Sequence, residues 1–308
     1  MKKWLDCAEA YRYHALENGV ELDNETQLAW LQYKSDSYYL EKRKTRSLDP
    51  IIGPPQEYTD TLVGPYIEDS WHQDWPYNDS LQFCTHYYYP NGGVAGQYKP
   101  VVGSTPLAIA RVLRYIEKPY NYSWSSMPNS VPQTSTTVSF VRDVHYAVKA
   151  YADSHGYDVY YYLNGGNPQT SVSDALPIGA FLCDQYGYPA AITETYSSSS
   201  NGIIRRELID HHLPCILSGH SSSPATPYNL NAWICDGYRY YYYPTFGPDG
   251  EFLGGYENKY LHHCWGLANC ANDGWFTIYD YSSGGNNYNN TMKITHRIAE
   301  IDYWSFGL

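Results

Sequence analysis

Apolar side chains recur at helical spacing in four stretches between residues 104 and 212. Residues 104–117 are apolar on most sides, which predicts a helix buried between other layers. Apolar positions three and four residues apart in 138–154 predict a second helix. Residues 171–185 and 202–212 predict a third and a fourth.

The pattern changes to short strand-like runs after residue 213. Runs rich in β-branched and aromatic residues, separated by turns rich in Gly and Asn, predict strands at 215–218, 232–242, 262–264 and 275–279. A series of helices followed by an antiparallel sheet predicts an α+β fold.

The N-terminal region has its own pattern. Residues 1–47 predict two amphipathic helices, and Pro50, Gly53 and Pro54 predict a linker near 48–66. We therefore expect an N-terminal helical extension with its linker over 1–65. A compact domain over 66–308 follows, divided into a helical part, 66–212, and a sheet part, 213–308.

Composition and charge exclude several classes of protein. Of the 308 residues, 43% are hydrophobic and 17% charged, which is typical of a globular chain. The formal net charge of −12 argues against a nucleic-acid partner, because phosphate-binding surfaces need clustered Lys and Arg. No apolar run is long enough for a membrane span, and the first residues lead into no apolar segment of a signal peptide.

Tyrosine is unusually abundant, with 36 residues and runs at 87–89, 160–162 and 240–243. One interpretation is that these runs form strands, which favour aromatic residues. The alternative is a tyrosine-lined surface that binds peptide or carbohydrate.

The seven cysteines include no CxxC pair, and several lie inside apolar runs. This pattern favours buried small hydrophobic residues, and no disulfide framework, cofactor or metal is expected. His262 and His263 point to opposite faces of a predicted strand, so they are not expected to share a metal ion.

Ser104 lies where a glycine turn opens the first of the four helices. Free N–H groups and the positive end of the helix dipole stabilise an anion at this position, which suits a cysteine thiolate. A serine hydroxyl is too weak an acid to ionise there. It therefore needs a neighbouring base to act as a nucleophile.

Several segments, in order along roughly 66–280, resemble the streptopain family of papain-like cysteine peptidases. The segments are WHQDWPYN at 71–78, GSTPLAIARVLRY at 103–115, PCILSG at 214–219, NAWICDGY at 231–238, and WG at 265–266 with DGWF at 273–276. The resemblance implies a two-lobed papain-like fold, with a helical lobe followed by an antiparallel sheet lobe. It also implies a secreted or cell-envelope location. Residues 1–65 lie where that family carries a propeptide.

The resemblance also implies roles for four residues. Ser104 occupies the position of the nucleophilic cysteine, and Asn231 that of the catalytic histidine. Gln73 lies at the position of the oxyanion-stabilising glutamine, and Trp265 at that of the indole that shields the histidine. Asparagine has no group that titrates near neutral pH, so it cannot accept a proton from Ser104. Loss of a catalytic nucleophile and its base together lowers turnover by on the order of 10⁶-fold.

Three hypotheses follow. The first is a catalytically inactive homologue whose cleft binds a peptide or protein. The second is a hydrolase that uses Ser104, Gln73 and a relocated base such as His220, which is otherwise expected in an exposed loop. In the third, the N-terminal helices occupy the cleft and only outer surfaces meet partners.

Overall fold

The computed structural model describes residues 58–84, 87–88, 94–130, 133–246 and 252–299. Within these residues, contacts form two compact units, one of 58–60 with 241–246 and 252–258, and the other of the described residues in 61–240 and 259–299. The candidate site lies in the second unit. The helices predicted over 1–47, and the hypothesis that they fill the cleft, lie outside the described residues.

Four α-helices are present in the described part of the chain, each overlapping a predicted helix. They are α1 (Ser104–Ile116), α2 (Ser135–His155), α3 (Ile178–Tyr186) and α4 (Ser200–Asp210). None of the described helices is long and apolar enough to cross a membrane.

Thirteen strands lie in the described residues, some of them where none was predicted. They are β1 (Tyr58–Val63), β2 (Tyr87–Tyr88), β3 (Val94–Ala95), β4 (Val159–Asn164), β5 (Asn167–Val172), β6 (Ile192–Thr195), β7 (Cys215–His220), β8 (Leu230–Phe246), β9 (Phe252–Cys264), β10 (Gly274–Thr277), β11 (Ser282–Ser283), β12 (Asn286–Asn287) and β13 (Asn290–His296).

The larger sheet has the order β10-β9-β8-β7-β13-β6, with β1 also paired to β8. Neighbours β7 and β8 are antiparallel, and their register places Gly219 opposite Asn231. A second sheet has the order β3-β2-β4-β5, in which β2 and β4 are parallel. The described fold is thus mixed α/β, with predominantly antiparallel pairing.

Three sequence predictions need correction here. Part of the predicted linker, 58–63, is strand β1, which pairs with β8. The region 66–212 was expected to be helical but also contains strands, β4 to β6 among them. The third helix begins at Ile178, not near residue 171, because the preceding residues pair with β4 as strand β5.

Packing explains the abundance of aromatic and apolar residues. The described tyrosines of the three runs lie on strands β2, β4 and β8, as the first interpretation predicted. Helix α1 is buried along most of its length against α2 and neighbouring elements, as its apolar surface predicted. Cys215, Cys235 and Cys264 are also buried, which confirms their prediction as small core residues.

Candidate functional site

A tight turn places Ser104 at the first position of helix α1. Gly103 has φ 90°, a left-handed conformation that side chains with a Cβ rarely adopt. A Cβ at this position would also lie 3.1 Å from the side chain of Thr170 on β5. Glycine thus lets the chain turn against β5 and begin the helix at Ser104.

The Ser104 hydroxyl contacts the strand that carries Asn231. The backbone N–H of Ala232, the residue after Asn231, donates a hydrogen bond of 3.1 Å to Ser104 Oγ. The structure therefore brings the two positions together across α1 and β8. Within the described residues, no histidine hydrogen-bonds to this hydroxyl.

A narrow gap lies beside Ser104. Its lining comes from α1, β8 and the end of β9, and includes Ser104, Ala232, Cys264 and Trp265. No point in the gap has room for a water molecule. The side chains around the hydroxyl are thus closely packed.

Trp265 also lies in this lining. It is 1% exposed and stacks on Trp233 of β8, with ring centroids 4.7 Å apart. Its backbone N–H donates to Asp273 Oδ1 over 2.7 Å. The neighbouring Gly266 has φ 68°, and a Cβ there would lie 2.7 Å from Leu107 of α1, so glycine permits the close approach of this turn to the helix.

The backbone of Gln73 contacts the loop that precedes Ser104. Its carbonyl oxygen accepts a hydrogen bond of 2.9 Å from the N–H of Val102, two residues before Ser104. His145 of α2 holds the same loop, since its Nδ1 bonds to the carbonyl oxygen of Val102 over 2.9 Å. Burial lowers the pKa of His145, which keeps the imidazole neutral in this structural role. The sequence analysis did not identify His145.

His220 differs from its prediction as an exposed loop residue. It ends strand β7 and is 2% exposed. Its Nδ1 bonds to Asn229 Oδ1 over 2.7 Å and to the Thr226 carbonyl oxygen over 3.0 Å, and its Nε2 lies 3.3 Å from Asp174 Oδ2. Strand pairing buries the ring, and both nitrogens are bonded away from Ser104. The structure thus offers no support for His220 as the relocated base.

A buried ion pair links α1 to the segment that leads to Gln73. Arg111, 1% exposed, donates from Nε to Asp69 Oδ1 over 2.8 Å and from Nη2 to the Asp69 carbonyl oxygen over 2.7 Å. Burial alone would lower the pKa of Arg111. Asp69 raises it, however, followed by Cys264, Asp273 and Asp236, and the net shift is upward. An arginine within an apolar helix was the sequence signal for this pair, and the sequence analysis did not use it.

A second polar group lies at the end of β9. Asp236 is fully buried; its Oδ1 lies 2.7 Å from His262 Nδ1, and its Oδ2 accepts from the Ile67 N–H over 2.8 Å. Cys264 is on the same face of β9 as His262, and burial raises its thiol pKa. His263 points the other way, as predicted, and both of its ring nitrogens are buried without a hydrogen-bond partner.

No protein-family model and no curated protein matches this sequence. Among solved structures, the active wild-type interpain A cysteine protease of Prevotella intermedia is similar with a TM-score of 0.53 and 18% identity, over 78% of this chain and 96% of that chain. A mutant prointerpain A fragment from the same organism has a TM-score of 0.50 and 16% identity, over 91% of this chain and 85% of that chain. These similarities show that the chain has a cysteine-protease fold.

Proposed function

We propose that this chain is a catalytically inactive, streptopain-like member of the papain-like group, which binds peptide or protein segments without cleaving them. The observation that carries the proposal is the contact between Ser104 and β8. The hydroxyl accepts a hydrogen bond from the Ala232 N–H, and the adjacent residue, at the family's histidine position, is Asn231.

The chemistry of these two residues supports inactivity. A serine needs a base to take its proton during attack, and an asparagine amide cannot do so near neutral pH. A nucleophile and its base act as one unit, and loss of the unit costs on the order of 10⁶-fold in turnover. The positive end of α1 does not replace the base, because an aliphatic hydroxyl stays protonated in its field.

Two exposed aromatic side chains that follow Gln73 along the chain support a binding role. Trp75, two residues after Gln73, is 72% exposed, and Phe83 is 62% exposed. Large aromatic side chains give much of the binding energy in peptide and protein interfaces, because they bury a large area for few rotatable bonds.

The test is to incubate the full chain with a synthetic peptide library and to recover the bound peptides for mass spectrometry. We expect bound peptides to be recovered intact, and Trp75→Ala to weaken their binding at least tenfold. Tyr120→Ala is the matched control, since Tyr120 is a 77% exposed aromatic residue outside this segment. Recovery of cleaved peptides, or equal binding by wild type and Trp75→Ala, would contradict the proposal.

A further inference from the structure

Three side chains of different donor type converge beside the Ser104 gap. One ligand atom each from Asp236, His262 and Cys264 lies within 4.8 Å of the other two. Asp236 comes from β8, and His262 and Cys264 from the same face of β9. This group departs from the expectation, drawn from the sequence, that the chain holds no metal. The expectation that His262 and His263 share no ion does not bear on it, because His262 is joined here by residues on its own face.

We propose that Asp236, His262 and Cys264 form a binding site for a zinc ion. The site is separate from the proposed peptide-binding role and does not depend on it. Carboxylate oxygen, imidazole nitrogen and thiolate sulfur together form a donor set that suits Zn²⁺. The hard cations Mg²⁺ and Ca²⁺ prefer oxygen ligands alone, so sulfur and nitrogen donors argue against them.

The spacing of the three atoms is close to what zinc requires. If no two atoms are more than 4.8 Å apart, some point lies within 4.8/√3, or about 2.8 Å, of all three. Zinc bonds are about 2.0–2.1 Å to nitrogen and about 2.3 Å to sulfur, so shifts of about half an ångström or slightly more complete the site. The His262 Nδ1 to Asp236 Oδ1 distance of 2.7 Å must lengthen as the ion takes the place of the proton between them, and this proton passes to the other ring nitrogen, Nε2.

The surroundings favour a cation at this point. Four groups raise the pKa of the Arg111 guanidinium. They are three carboxylates, those of Asp69, Asp236 and Asp273, and the thiol of Cys264. These three carboxylates outnumber the one buried guanidinium nearby. A divalent ion with a deprotonated thiol would reduce this excess.

A hydrogen bond to the Asp236 carboxylate and the partial exposure of His262 also fit a bound ion. The Ile67 N–H fixes the Asp236 carboxylate from its other oxygen, which is the kind of outer contact that orients metal ligands. The side chain of His262 is 13% exposed, so the group borders solvent at this residue, whereas the Asp236 side chain is fully buried. Binding releases the Cys264 proton to solvent, so affinity is expected to fall about tenfold for each unit that the pH decreases.

The test uses the full chain, stripped of metal, titrated with Zn²⁺ against a chromogenic chelator and with Co²⁺ as a spectroscopic probe. We expect one equivalent of either ion and a near-ultraviolet thiolate-to-cobalt band. Cys264→Ser should abolish the band and weaken binding at least tenfold, and His262→Gln should weaken binding to a similar degree. Cys215→Ala is the control, because it removes an equally buried thiol from β7.

Absence of binding by the wild-type protein would overturn the proposal. A thiolate band that persists in Cys264→Ser, or one that is lost in Cys215→Ala, would also overturn it, since another thiol would then hold the ion. Near-ultraviolet circular dichroism checks the fold of each variant. If Cys264→Ser does not fold, His262→Gln decides: unchanged zinc affinity in that variant contradicts the site, and a tenfold loss supports it.

Discussion

Removal of the Asp69 carboxylate should severely destabilise the fold near the candidate site. Arg111 is 1% exposed and its Nε donates to Asp69 Oδ1 over 2.8 Å. Asp69→Ala leaves this guanidinium buried without its nearest counter-charge. The same change removes the acceptor of the Trp71 N–H, which donates to Asp69 Oδ1 over 3.1 Å.

The expected loss follows from the burial of the pair. Breaking a buried ion pair by removing one partner costs about 3–5 kcal/mol, because the remaining charge is uncompensated. For a domain of this size, this corresponds to a decrease of about 10 °C in melting temperature. Asp69→Asn keeps an acceptor for the Trp71 N–H but removes the charge, so most of the loss should remain.

Urea unfolding followed by tryptophan fluorescence measures the effect as a change in the free energy of unfolding. The control is Asp79→Ala, which breaks a more exposed pair with Lys99 whose Nζ–Oδ1 distance is 2.9 Å. Exposed pairs contribute about 0–1 kcal/mol, so this variant should be close to wild type. If Asp69→Ala lowers the free energy of unfolding no more than Asp79→Ala does, the ion pair does not hold the segment that leads to Gln73 against α1.

Two further predictions concern other parts of the site. Gly103→Ala should lower the free energy of unfolding by about 1–3 kcal/mol, because alanine would have to adopt a left-handed φ and would also contact Thr170. Gly156→Ala, at φ 74° with open space around it, should lower that free energy less. Equal losses for the two variants in thermal unfolding would contradict the close contact at Gly103. Burial lowers the pKa of His263 to about 3, below its ordinary value of 6.5. Above pH 6.5 the ring is neutral in both the folded and the unfolded chain, and its full contribution to stability is present. Below pH 6.5 the unfolded chain binds the proton first, which reduces the stability of the fold. This stability decreases by about 1.4 kcal/mol for each pH unit between 6.5 and 3. His263→Leu should remove that slope from urea unfolding curves measured across this range, and an unchanged slope would assign the pH dependence to other groups.

The helices were predictable because their apolar positions repeat over several turns. The largest error at a helix boundary, at α3, arose where a local turn was overlooked. Asn164 and Asn167 flank Gly165 and Gly166, which have φ 56° and 86°. Consecutive glycines with positive φ are typical of a two-residue hairpin turn, and they join β4 to β5. This signal was present in the sequence.

The sequence predicted the candidate site only where segments of the chain could be matched to those of a known family. The segments around Ser104 and Asn231 could be matched, and the structure places them side by side. The polar group of Asp236, His262 and Cys264 could not be foreseen, because its members lie on two strands whose register is set by pairing over the whole sheet. The burial of His220 was missed for a different reason: the predicted strand ended at residue 218, whereas β7 continues to His220.

The central claim is that a hydroxyl without a base replaces the family's catalytic pair. The most direct measurement is the hydrolysis of a broad fluorogenic peptide library by the purified wild-type chain and by Ser104→Ala, at equal concentration and over a range of pH. The account predicts that the two proteins show the same rate, indistinguishable from that of buffer. Wild-type turnover that disappears in Ser104→Ala would contradict it.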